Sequence, residues 1–354
     1  MAQPLKDMIN ATSVAALADG VAAARSAFPR DRFVATALSG LDGQELKARV
    51  GHVAQALHAT LDLPFPQAAP VLRAATAHTR LDMWSGWPAT DYVAVHGVDH
   101  LDEAMSTLAA ITPYATAEFA VRPYLDRYRD TALKTMQDWA DSDDEHLRRL
   151  ASEGTRPRLP WGTRVRWLMS PGPALPILER LRDDPSEYVR RSVANHVNDI
   201  AKDHPDTALT LLRRWHTEGG AHTTRVVRHA ARGLLRAGHP EALDLVGAAH
   251  GSGAVESLTV ADTVATGDRI PFTVTVRADG PGALILKYAV RRDGSRRVFH
   301  LAERVAKSAG DTFTLARSHS FRPVTTRTEP PGPRDLEIIV NGEVRATTPF
   351  TLLP

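Results

Sequence analysis

The stretch Glu187-Tyr188-Val189-Arg190-Arg191-Ser192-Val193-Ala194-Asn195-His196-Val197-Asn198-Asp199-Ile200 decides how this chain is read. Val189, Val193, Val197 and Ile200 recur at intervals of four and three residues, the stripe of a helix buried on one face. The opening of this stretch has two echoes. Leu147-Arg148-Arg149-Leu150-Ala151 stands 42 residues earlier, and Val227-Arg228-His229-Ala230-Ala231 stands 38 residues later. Acidic or small polar residues, 141–145 and 183–187, precede the first two copies. A helix pair recurring at roughly 40 residues is a HEAT-type repeat, in which each unit buries its face against its neighbours.

Working outward towards the N-terminus, the same periodicity predicts helices over Val14–Ala24, Arg32–Leu38 and Gly43–Leu61. The last carries apolar residues at Leu46, Val50, Val53, Ala54 and Leu57. Pro64, Pro66 and Pro70 are expected to break the chain before a helix at Val71–Thr79. Further helices are expected at Tyr92–Val95, Leu101–Ala110 and Thr116–Tyr128, where Pro123 should end or bend the last.

Towards the C-terminus the pattern changes at Gly251-Ser252-Gly253. Short alternating runs follow at Leu258–Val264, Ile270–Arg277, Leu284–Arg291, Arg297–Leu301, Thr312–Arg317, Leu336–Val340 and Val344–Leu352. Asn341-Gly342 between two such runs is a strong hairpin signal. The fold class expected is therefore mostly α: a HEAT-like helical repeat solenoid over 1–250, followed by a C-terminal all-β immunoglobulin-like sandwich over 255–354.

Composition narrows the chemistry. The 354 residues include no cysteine, which removes disulfides, thiolate metal sites and a cysteine nucleophile. Net charge is only +2, yet six of the 43 basic residues are lysine and the rest arginine, the side chain suited to bidentate phosphate contact. A GC-rich genome explains the same bias. No apolar run approaches the roughly 18 residues that span a bilayer, and the first ten residues lack an apolar signal core, so a cytoplasmic location is expected. Nucleotide-binding glycine loops, a His-Glu-x-x-His motif and a nucleophile elbow are absent from the sequence. His96 and His100 stand four apart, but Gly97 between them weakens a helical metal pair.

Three segments stand out. Glu118 lies in Thr116-Ala117-Glu118-Phe119-Ala120-Val121-Arg122-Pro123, where a surface ion pair with Arg122 or Arg127 is the plain alternative. Glu153 and Trp161 flank a loop with two prolines and two arginines, Gly154-Thr155-Arg156-Pro157-Arg158-Leu159-Pro160. There an exposed aromatic could meet a nucleotide, or Trp161 could plug a gap between repeats. Asn195, Asp199 and Lys202 share one helix edge off the buried stripe, either as a ligand surface or as a solvated face. Arg156, Arg158, Arg164, Arg166, Arg190, Arg191, Arg225, Arg228 and Arg232, with Lys202, form a row at repeat spacing that could track a phosphate backbone. The alternative pairs these arginines with the acids that open each repeat.

Taken together, the Glu118-Phe119-Ala120-Val121-Arg122-Pro123 stretch, the Glu153…Trp161 loop and Ser192-Val193-Ala194-Asn195-His196-Val197-Asn198-Asp199-Ile200 resemble the AlkC branch of the AlkC/AlkD superfamily of HEAT-like-repeat DNA glycosylases. The resemblance covers roughly residues 1–250 and extends to the immunoglobulin-like domain. It implies excision of cationic alkylated bases, chiefly N3-methyladenine and N3-methylcytosine, from double-stranded DNA in base excision repair. It also implies that Glu118, Glu153, Trp161 and Asp199 line the catalytic cleft, with Asp203 one turn beyond as the rival to Asp199. DNA contacts are expected from Arg156, Arg158, Arg164, Arg166, Arg190, Arg191, Asn195, Lys202, Arg228 and Arg232. A monofunctional enzyme using water is expected, monomeric, nucleoid-associated, and without metal or cofactor. A non-catalytic HEAT-repeat scaffold for DNA or protein is the competing expectation; a secreted carbohydrate-active protein is a weaker one.

Overall fold

A computed structural model describes residues 4–79, 81–323 and 329–354. The chain separates into two compact units, 1–204 with 220–226, and 205–219 with 227–354. The change from helix to strand comes where expected, near residue 250. Compactness divides the chain earlier, so the last helices group with the strands.

The first unit is helical. It carries α1 (Ala11–Ala24), α2 (Arg30–Leu38), α3 (Leu46–Leu61), α4 (Phe65–Thr79), α5 (Met83–His96), α6 (Leu101–Ile111), α7 (Arg122–Arg127), α8 (Arg129–Trp139), α9 (Glu145–Gly154), α10 (Leu175–Leu181) and α11 (Glu187–Asp203). Side-chain caps start several of them: Asn10 accepts from the amides of Thr12 and Ser13, and Asp82 from those of Trp84 and Ser85.

Proline accounts for three departures from expectation. α4 begins at Phe65, not Val71, because Pro66 sits in a first turn that has no ladder bond to lose, and Pro70 removes a single bond inside the helix. α5 is far longer than Tyr92–Val95. Pro88 lies within it, and most of its surface is buried, which erases the amphipathic signal. The expected helix over 116–128 is a turn at 118–121 followed by the short α7. Pro123 stands in the first turn of that helix and starts it rather than ending it.

The second unit holds α12 (Pro205–Glu218), the end of α13 (Thr223–Ala230), α14 (Arg232–Ala237), α15 (Pro240–Asp244) and the strands. The strands are β1 (Ala254–Val260), β2 (Thr263–Ala265), β3 (Arg269–Arg277), β4 (Gly282–Arg292), β5 (Ser295–Ala306), β6 (Thr312–Ser320), β7 (Gly332–Val340) and β8 (Glu343–Leu353). Among the described residues they form two sheets, ordered β1-β3-β6 and β2-β8-β7-β4-β5. The run expected as one strand at Leu258–Val264 is two. It breaks at Ala261-Asp262, where the Asp262 carbonyl accepts from the Thr351 amide, and β2 joins the other sheet parallel to β8. Ile270, Phe272, Val274 and Val276 alternate inward from β3 against Leu286, Leu336 and Ile338 to form the core. The Asn341-Gly342 hairpin is present, with both residues at positive φ (44° and 89°), as a tight two-residue turn requires. No helix among the described residues is long and apolar enough to cross a membrane.

Candidate active site

Glu118, Glu153 and Asp199 come from a turn, the end of α9 and the C-terminal part of α11, and two arginines join them. Arg149, one helical turn before Glu153, donates to the Glu118 carboxylate. Its other nitrogen stands 3.8 Å from Glu153. Arg156, in the loop after α9, donates to Glu153 at 2.5 Å and to Asp199 at 2.8 Å. Lys202 closes the series on the other Asp199 oxygen at 2.9 Å. The result is a row of alternating charge: Glu118, Arg149, Glu153, Arg156, Asp199, Lys202. Thr116 adds a hydroxyl to Glu118 at 2.5 Å, and Ser192 adds one to Glu153 at 2.5 Å.

The row is largely desolvated. Glu153 is 6% exposed and Asp199 1%. Burial by itself would raise the Glu153 carboxyl, but the charges of Arg149 and Arg156 and the Ser192 hydrogen bond outweigh it and hold the group below its ordinary value of 4.5. Glu153 stands near the negative end of the α9 dipole, so the two guanidiniums are what keep it ionised. Opposing charges of this kind attract strongly where water is excluded.

The loop carrying Trp161 is pinned from both sides. Arg122 is buried and donates to the carbonyls of Gly154 (2.8 Å), Arg156 (3.0 Å) and Thr163. It is therefore a strut for the loop and not the partner of Glu118, while Arg127 pairs with Asp99. Trp161 itself has φ +64°, a left-handed conformation that costs a bulky residue about 1–2 kcal/mol. Two contacts hold it there. Lys47 of α3 donates to the Trp161 carbonyl at 2.9 Å, and the indole stacks at 6.4 Å and 18° on Trp87, which stacks in turn on Phe119 beside Glu118. Trp161 remains 54% exposed. It is an open aromatic face, stacked through Trp87 and Phe119 towards the turn that carries Glu118, and not a plug.

The other expected residues separate into three groups. Arg156 and Arg190 are buried. Arg156 bridges two acids, and Arg190 donates to the carbonyls of Asp184 and Pro185; burial and these partners leave neither available to a phosphate as placed. Arg158 is committed to Asp203 at 2.5 Å, and Arg191 to Glu187 at 3.2 Å. The pairing of an arginine with a repeat-opening acid holds for Arg191 with Glu187, and most fully for Arg148, outside the row, which forks onto Asp184 at 2.6 and 3.1 Å. Arg164, Arg166 and Lys202 are exposed and Asn195 is half-buried. Arg225 is exposed, and Arg228 and Arg232 lie half-buried. Asp203 sits in a partly exposed pair with Arg158, outside the buried row, so Asp199 is the acid joined to Glu153. His96 stacks on His58 at 3.7 Å and His100 on Phe65.

Arg149, Lys47, Trp87 and Tyr188 belong to this site and were not singled out from the sequence. Tyr188 is 41% exposed, with the Arg149 guanidinium 5.2 Å from its ring centre. The repeat echo did place Arg149 in register with Arg191, but nothing local marked it as the partner of an acid 31 residues away.

Residues 92–235 match the family model described as "DNA alkylation repair enzyme", and residues 254–354 match the C-terminal Ig-like domain described for YhaZ. The chain is 34% identical to the protein YhaZ of Bacillus subtilis (strain 168), over 98% of each. It is also 34% identical to the Pseudomonas fluorescens alkylpurine DNA glycosylase AlkC, solved bound to DNA containing an abasic site analog. That match has a TM-score of 0.92 and covers 99% of this chain and 100% of the other.

Proposed function

Because this chain belongs to the AlkC-type DNA glycosylases of the DNA alkylation repair family, we propose that it hydrolyses the N-glycosidic bond of cationic alkylated bases, N3-methyladenine and N3-methylcytosine, in double-stranded DNA. The buried alternating row, with exposed Trp161 linked through Trp87 to the turn that carries Glu118, is the observation that carries this reading.

The substrate chemistry explains why such a row suffices. A base alkylated at N3 already bears a positive charge and leaves without being protonated. As the bond breaks, that charge passes to the sugar, which becomes oxocarbenium-like. What the enzyme must supply is fixed negative charge at the sugar and a placed water. Glu118, Glu153 and Asp199 are carboxylates whose orientation is set before the substrate arrives, much as the carboxylate pair of a glycosidase is. Trp161 offers its face to the sugar or the cationic base. Lys202 is tied to Asp199, which favours water over a lysine adduct and hence a monofunctional enzyme. Arg164, Arg166, Asn195 and Lys202 supply backbone contacts. Arg156, assigned to DNA by the sequence, acts here as a positioning residue.

Base release from DNA methylated at defined positions, followed by chromatography, tests this. The parent releases N3-methyladenine and N3-methylcytosine, while Glu118→Gln and Asp199→Asn lose on the order of 10²-fold or more in rate, the loss usual for one preorganised electrostatic group. Release by either variant at the parent's rate would refute the assignment of that acid. No release by the parent would leave the scaffold reading.

A further inference from the structure

Tyr188 stands in the first turn of α11 with much of its side chain exposed, yet its ring is held on two sides. The Arg149 guanidinium lies 5.2 Å from the ring centre. The ring of His146, also on α9, meets it edge-on at 5.8 Å and 64°. The starts of the two helices are tied beside it, since the Ser186 hydroxyl donates to the Glu145 carboxylate. Among the described residues the Tyr188 hydroxyl has no hydrogen-bond partner. Partial burial holds the phenol above its ordinary value of 10; Arg149 opposes the shift, and Glu118, Glu153 and Glu145 add to it. The ring is therefore neutral at physiological pH.

What the ring covers is a joint of the charged row. One Arg149 nitrogen donates to the Thr116 hydroxyl at 2.6 Å and to the Glu118 carboxylate. The other stands 3.8 Å from Glu153. These contacts fix the tip of a long side chain that turns about several bonds. An aromatic face beneath the flat guanidinium adds a restraint that they do not supply. The ring also takes the place of water on that side, which strengthens the pull between Arg149 and its two acids.

We propose that Tyr188 is a positioning residue of this site: its ring clamps the Arg149 guanidinium between Glu118 and Glu153 and so fixes two of the three carboxylates before DNA arrives. Tyr188 acts through Arg149 and does not touch the reacting atoms, a role that rests on the glycosylase reading above. The face of the ring does this work, and the hydroxyl does not.

The test follows base release from N3-methylated duplex across pH for the full chain, Y188L and Y188F. Y188L keeps an apolar side chain and loses the aromatic face. It is expected to lose about 10- to 100-fold in kcat, the scale on which a small misplacement at a reacting centre is felt, with KM unchanged. The acid limb of kcat moves to higher pH by about one unit, because Arg149 helps to hold Glu153 low and a loosened guanidinium does so less. A role in stability alone leaves that limb in place. Y188F, which keeps the ring, restores most of the loss, and Y188M replaces Y188L if that variant does not fold. The parent's kcat or an unmoved limb in Y188L would overturn the proposal. So would a raised KM at unchanged kcat, the mark of a DNA contact, or a Y188F as impaired as Y188L. A double-mutant cycle on melting temperature with Y188L and R149K needs no base release. Ring and guanidinium restrain each other, so the pair loses less than the two single losses summed; additive losses overturn the clamp. A parent that releases no base but shows this coupling sinks the glycosylase reading and leaves the clamp standing.

Discussion

His196 sits fully buried on α11, with its Nδ1 donating to the Ser152 carbonyl at 2.9 Å. Burial, only partly offset by that hydrogen bond, pushes it down from 6.5 to about 4. The sign follows from proton counting. Between pH 6.5 and 4 the unfolded chain holds a proton on this ring that the folded chain does not, so stability falls as pH drops through that window, by up to about 3 kcal/mol. Denaturant melts at pH 7 and pH 4.5 should show this loss, and His196→Gln should show a smaller difference between the two. An unchanged difference would mean that other groups dominate. Glu153 acts lower on the scale: depressed below 4.5, it stabilises the fold above that value and is lost as pH falls through its folded value. At this scale the sequence was partly legible. Glu118, Glu153, Trp161 and Asp199 could be named through motif resemblance. Lys47 could not be linked to Trp161, because 114 residues separate them and only tertiary packing brings them together.

Between elements, Gly154 shows how far a local rule carries. A glycine at the end of a helix suggests a left-handed cap, yet Gly154 is the last residue of α9 and is not among the positive-φ glycines. It is needed for space. A Cβ there would stand 2.7 Å from a methyl of Val121 and 2.8 Å from Met136, so α9 could not lie so close to the turn that carries Glu118 and to α8. Gly154→Ala is expected to lower stability by about 1–3 kcal/mol, as overpacking does, and to slow base release by moving Glu118 relative to Glu153. A melting temperature within a degree of the parent would contradict the packing argument. Periodicity was reliable where one helix face is buried, as in α3 and α11, and failed on α5, whose Trp87 and Pro88 are buried along with most of the helix. It also misjudged Pro66, Pro70 and Pro123, because a proline reads as a breaker until its place within the first turns is known.

At the scale of the whole chain, α14 and α15 belong with the β-sandwich. Lys287 donates to carbonyls of α14, Asn341 donates to the Ala249 carbonyl at 2.9 Å, and Gly238 packs against Gly342 so closely that a Cβ would meet its Cα at 2.7 Å. A chain ending at residue 250 therefore cuts through a compact unit. Its segment 232–248 is expected to exchange amide hydrogens far faster than in the full chain, as measured by hydrogen–deuterium exchange; equal protection would show that these helices stand without the strands. The composition break at Gly251-Ser252-Gly253 marked the change of secondary structure correctly. It did not mark this grouping, because hydrogen bonds from β4 and the Asn341 turn to the preceding helices leave no trace in residue type.

The alternating row in the first unit bears on how this protein can change over generations. Each interior member faces two neighbours of opposite sign, so replacing one strands a buried charge on either side. Substitutions there are epistatic: a change at Arg156 is tolerated only alongside compensating changes at Glu153 and Asp199, and drift at the three positions is locked together. Exposed Trp161 can be replaced on its own, and the buried row only as a block.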